Sequence, residues 1–175
     1  MRPIAACLGE RLMRGVRRRM PSRRRFLILL PLLGVPTHTV AGAWSHESFA
    51  NDGALDWVAE FRRTPTVEFL RSTLSAGTTG DFIESFTGES IIAAAEVVAA
   101  SLGRPPSDFP KDLGPIVAKA SAQLRPLASL ARSALAGVLG SKSELRETWG
   151  ANTEAFASWQ GHVKRLFERL APGGA

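Results

Sequence analysis

The run Ile91-Ile92-Ala93-Ala94-Ala95-Glu96-Val97-Val98-Ala99-Ala100 constrains this chain more than any other stretch. Apolar side chains fill every position but one, so a helix made from it has no polar face for water and must be covered on most sides. The helix is predicted over residues 89–102, at the centre of a bundle. Gly103 supplies a stop, and Arg104-Pro105-Pro106 forbids continuation, since proline lacks an N–H and clashes with the preceding turn. Its 14 residues fall short of the roughly 20 that cross a bilayer, and Glu96 interrupts it.

The remaining patterns are helical too. Asn51 is a good N-cap for a helix carrying Ala54, Leu55, Val58 and Phe61, with Asp52 and Asp56 in its first turns, where carboxylates meet the positive end of the helix dipole. Thr64-Pro65 is expected to open a second helix with Val67, Leu70 and Leu74 as its buried stripe. A polar loop with Gly77, Gly80 and Asp81 follows. Within residues 108–124 a short helix is expected near 115–122, and Pro126 is expected to start another carrying Leu127, Leu130, Leu135 and Val138. A short helix over residues 143–149 and a long one over 153–170, with Phe156, Trp159, Val163, Leu166, Phe167 and Leu170 on one side, complete the set. No segment alternates with period two, so the predicted class is all-α, a single compact domain of six or seven short helices.

A different chemistry precedes this domain. Nine arginines and one acid lie in residues 1–43, followed by an apolar run at 26–35 and the small residues Ala41-Gly42-Ala43. This is the layout of a secretory signal peptide, with cleavage expected at Ala41 or Ala43. Ser22-Arg23-Arg24-Arg25-Phe26-Leu27 resembles the twin-arginine export signal, with Arg23, Arg24, Phe26 and Leu27 at its defining positions. The resemblance implies a partner, the twin-arginine export machinery, and a periplasmic or extracellular destination reached in the folded state. The apolar run is too short to remain as a transmembrane anchor. An alternative is translation from Val40 read as a GTG start, which would leave the protein cytoplasmic.

Removing the leader reverses the charge argument. Of 22 basic residues, 13 lie beyond position 43; of 16 acidic residues, 15 do, so the rest of the chain carries a net charge of −2. No basic stripe remains to meet nucleic acid. The single cysteine, Cys7, is in the leader, so the domain itself offers neither a disulfide nor a thiolate metal ligand.

Gly42-Ala43-Trp44, Phe49-x-Asn51-Asp52-x-Ala54-x-Asp56-Trp57, the helix Ala93 to Ala100 with Gly103-Arg104-Pro105, and Ser143-Glu144-Leu145-x-Glu147-x-Trp149 followed by Trp159 resemble a bacterial family of short helical proteins, domain of unknown function 4259. The resemblance covers about residues 42–171, with a disordered tail expected over 172–175. It implies an all-α domain and supplies no activity.

The candidate site is the polar set this motif gathers: Trp44, Asn51, Asp52, Asp56 and Glu96. Asp52 and Asp56 share a helix face, and a carboxylate inside an apolar helix needs a partner. A metal reading builds an oxygen-ligand site from Asp52, Asp56 and Glu96, with His46 nearby. The structural reading makes Asn51 and Asp52 helix caps and either pairs Glu96 with an arginine such as Arg104 or points it to water. His46 and His162 lack the spacing that puts two ligands on one helix face, and no nucleophile elbow or phosphate loop is present. No cofactor is predicted. Two functions follow: a non-catalytic exported binding or interaction protein, or a small metal-dependent hydrolase-like enzyme using the acidic cluster.

Overall fold

In a computed structural model, residues 45–172 are described. The leader with Arg23, Arg24, Phe26, Leu27, Ala41 and Ala43, the residue Trp44, and the tail beyond Pro172 lie outside the described residues. The elements are α1 (Asp52–Arg63), α2 (Val67–Ala76), α3 (Ser85–Ser101), α4 (Leu113–Leu124), a single 3-10 turn (Arg125–Leu127), α5 (Ala128–Val138), α6 (Glu144–Gly150) and α7 (Thr153–Arg169). Among the described residues there is no strand, only one bridge between Ile83 and Ser143, and no helix is long and apolar enough to cross a membrane. The domain is all-α, as its patterns predict.

Helix α3 is the hub. Thirteen of its 17 residues are buried, and α1, α2, α4, α5, α6 and α7 all contact it. It starts at Ser85, four residues before the predicted start at 89. No local side chain caps it; the Ser85 N–H instead donates to Glu144 Oε2 of α6 at 2.6 Å, a long-range contact invisible to local patterns. The predicted stop holds. Gly103 adopts φ 80°, its N–H donates to Ala100 and that of Arg104 to Ala99, the paired bonds of a Schellman motif. This turn fixes where Arg104 leaves the helix.

Helix α1 is capped by Asn51, whose side chain accepts from the Ala54 N–H at 2.8 Å. Its buried face is Ala54, Trp57, Val58 and Phe61, the i, i+3, i+4, i+7 set, whereas Leu55 is 53% exposed. Trp57 takes the place expected for Leu55, stacking on Phe61 and Phe69 and donating from Nε1 to Thr73. Pro65 does not open α2; Thr66 does, its hydroxyl accepting from the Phe69 N–H. Pro126 likewise sits in the 3-10 turn, so α5 begins two residues later, at Ala128. Helix α4 is longer than predicted, because Pro115 falls in its first turn, where its missing N–H costs nothing.

Close backbone approach locks α2 to α5. A Cβ on Gly137 would collide with the Gly77 carbonyl, and one on Gly77 would sit 2.9 Å from Ala134.

Candidate functional site

The lone acid of α3 organises the site. Glu96 is completely buried, and its Oε1 accepts from Arg169 Nη2 at 2.6 Å and from the Ser48 hydroxyl at 2.8 Å. Ser48 lies in the segment before α1 and is itself buried; its Oγ is 2.8 Å from His162 Nε2. His162 and Arg169 are seven residues apart on α7, two helical turns, so both face Glu96. Three distant segments thus meet at one carboxylate oxygen, while Glu96 Oε2 is buried with no protein partner.

The partner of Glu96 is Arg169, not Arg104 or water. Arg104 serves another purpose: its Nη1 donates to the carbonyls of Arg169 and Ala171, while Arg169 Nη1 donates to the Arg104 carbonyl. This reciprocal clasp pins the end of α7 to the turn after α3 and leaves cations near two helix C-termini, where the dipole favours them.

Burial raises the Glu96 pKa, opposed by its bonds to Arg169 and Ser48. Burial lowers that of His162 to about 4, with the neighbouring Arg165 and His46 adding to the effect. His162 is therefore neutral near pH 7. The single Ser48 proton points to Glu96, so Ser48 accepts from the His162 Nε2–H and Nδ1 keeps the lone pair; this assignment follows from the bonding pattern.

Above this relay opens a groove of about 700 Å³ between the 104–108 turn and α7. Arg104, Asp108, His162, Arg165 and Arg169 line it, with His46, Glu47 and Glu168 also contributing. His46 is exposed and lies edge-on to His162, with ring centroids 5.9 Å apart. The two histidines, distant in sequence, are neighbours in space.

The predicted site residues divide. Glu96 is in the relay. Asn51 caps α1 and lines a second cavity of about 20 Å³ beside Glu89, Trp149 and Trp159, room for roughly one water. Asp52 and Asp56 are exposed on α1. Among the described residues no three His, Cys, Asp or Glu are grouped to hold a metal ion, so Asp52, Asp56 and Glu96 do not form the expected oxygen site. The acid that α1 does engage is Glu89, which no sequence signal marked: it is buried, and its Oε2 accepts from the Gly53 N–H. Burial raises its pKa.

A family model for domain of unknown function 4259 matches residues 42–162. The chain belongs to this family. The match to domain of unknown function 4259 takes in Ser48, Glu96, Arg104, Asp108 and His162, and stops short of Arg165 and Arg169 and of the position 171 expected from the motifs. No curated protein and no solved structure matches the chain.

Proposed function

We propose that this member of domain of unknown function 4259 is an exported, non-catalytic binding protein that holds a small polar ligand in the groove between the 104–108 turn and α7. The observation carrying this reading is the convergence of Arg104, Asp108, His162, Arg165 and Arg169 around one open volume of about 700 Å³, within the range of small-molecule sites. The groove stands on a rigid floor, because the Glu96 relay and the arginine clasp fix Arg169 and His162 in place. A binding protein gains from such preorganisation, since little side-chain freedom is lost when the ligand arrives.

The Ser48–His162 contact has the reach of a nucleophile and its base, but the chemistry runs the other way. Ser48 is 2% exposed and its proton is engaged by Glu96, so its oxygen is not presented to the groove. This supports binding over hydrolysis.

The test is a thermal-shift screen of the protein against small polar metabolites, repeated with Arg165→Gln. A ligand that stabilises the parent and not the variant is the expected result; hits that ignore Arg165 and the groove overturn the reading. Export rests on the Arg23-Arg24 motif and is tested separately. Replacing both by lysine is expected to abolish a periplasmic product starting near Gly42 to Trp44, and a cytoplasmic product starting at residue 40 contradicts it.

A further inference from the structure

Another cavity, of about 530 Å³, opens where the ends of α3 and α7 meet the start of α5, and it shares only Arg104 with the groove beside the 104–108 turn. Three arginines line it, Arg104, Arg125 and Arg132, and no acidic side chain does. The neighbouring helices cannot supply one: no Asp or Glu occurs between Asp112 and Glu144, so α4 and α5 bring cations only. Each arginine spends part of its guanidinium on a carbonyl. Arg104 Nη1 donates to Arg169 and Ala171, Arg125 Nε to Ser101, and Arg132 Nη1 to Phe167. These bonds cap the C-termini of α3 and α7, each equivalent to about half a negative charge, so roughly two positive charges are left over. None of the three arginines forms an ion pair among the described residues. The remaining nitrogens of Arg104 and Arg132 reach solvent, since no unpartnered atom of either is buried. Arg132 is also held in place, its guanidinium 4.0 Å from the centre of the Phe167 ring.

The rest of the wall is largely apolar, with Leu102, Ala128 and Ala171 only half-buried. An inorganic anion would leave that surface wet, a neutral apolar molecule would make no use of the charge, and a cation would be repelled. We propose that the cavity binds a free amphipathic anion, an oxyanion head of the carboxylate or phosphate type on a short apolar body. The arginine forks hold the head, a geometry suited to two oxygens of one group, and the body lies on Leu102 and Ala128. Because the guanidiniums are already fixed by carbonyls and by Phe167, little side-chain freedom is lost on binding.

The experiment is an NMR titration of the 175-residue protein with octanoate and octyl phosphate, and in parallel with acetate, inorganic phosphate, octanol and octylammonium, read at Leu102, Ala128 and Ala171. Saturable shifts there with one or both octyl anions, about tenfold or more tighter than with any other probe and weakened about tenfold or more in Arg125→Gln, are expected. The tighter of the two identifies the head. Arg125 is exposed, so its substitution leaves folding intact even if Arg132→Gln, which also loses the stacking on Phe167, does not. Arg165→Gln should leave the affinity unchanged, and a loss there would put the anion in the other groove and overturn the site. Equal binding of octanol or octylammonium, equal binding of acetate or phosphate, affinity that survives Arg125→Gln, or silence from both octyl anions overturns it too. Failure here leaves the 104–108 groove standing as a ligand site.

Discussion

Glu96→Ala is the sharpest perturbation available, because one atom of Glu96 joins three segments. The change removes the acceptor of the 2.6 Å bond from Arg169 and of the 2.8 Å bond from Ser48. Breaking a buried ion pair by deleting one member costs about 3–5 kcal/mol. Two features reduce that here. The Arg169 side chain is 25% exposed, so water recovers part of the stranded cation. The substitution also removes Oε2, a buried acceptor with no partner, whose burial costs about 1–3 kcal/mol. The net loss is about 2–3 kcal/mol. Arg169→Ala strands a fully buried carboxylate instead, and should cost about 4 kcal/mol near neutral pH. Its deficit should shrink as pH falls, because Glu96, whose pKa burial raises, then takes a proton. The double variant should lose less than the sum by about 2 kcal/mol. Urea unfolding of the full chain, followed by tryptophan fluorescence, reads all four corners of the cycle. Additivity within about 0.5 kcal/mol would refute the argument that the two residues act as a pair.

Three further outcomes follow from the same structure. His162 binds fewer protons in the fold than in the unfolded chain between its lowered pKa of about 4 and its ordinary 6.5, so stability should fall as pH drops through that window; His162→Gln should flatten that slope, and an unchanged slope in denaturation midpoints would contradict it. Glu89 and Glu96 act with the opposite sign, since their raised pKa values favour the fold at low pH, and this contribution should remain in the variant. Gly137→Ala drives a methyl into the Gly77 carbonyl and should cost about 2–3 kcal/mol in thermal unfolding, where an unshifted midpoint would mean that α2 and α5 separate freely. Asn51→Ala removes the α1 cap and should cost about 1 kcal/mol by urea unfolding while leaving any ligand affinity of the groove unchanged.

The fold was legible where composition or a single residue decides. Helix α3 has no polar face, so its central place follows from its side chains alone, and Gly103 before Arg104-Pro105 marks its end. Asn51 was readable as a cap because that role needs only three residues of context. The start of α3 was not readable, since its cap comes from Glu144, 59 residues away. Leu55 misled because an apolar residue one position off a helical stripe points about 100° from it, and Trp57 could fill that face. In the site, Glu96 announced itself as an acid among apolar neighbours. Its partners could not: Ser48 lies 48 residues away and Arg169 lies 73, and only the docking of α7 and of the segment before α1 against α3 joins them. The spacing of His162 and Arg169 on one face of α7 was the available signal. It had meaning only once the neighbouring helix was known.

The most direct test of the groove as the ligand site is an NMR titration of the full protein with a small-molecule cell extract, mapped residue by residue. Saturable shifts centred on His46, Asp108, His162 and Arg165, with the exposed apolar side chains Leu55, Phe82 and Phe86 unchanged, are expected. Shifts centred on those apolar side chains, with the groove silent, would contradict the account.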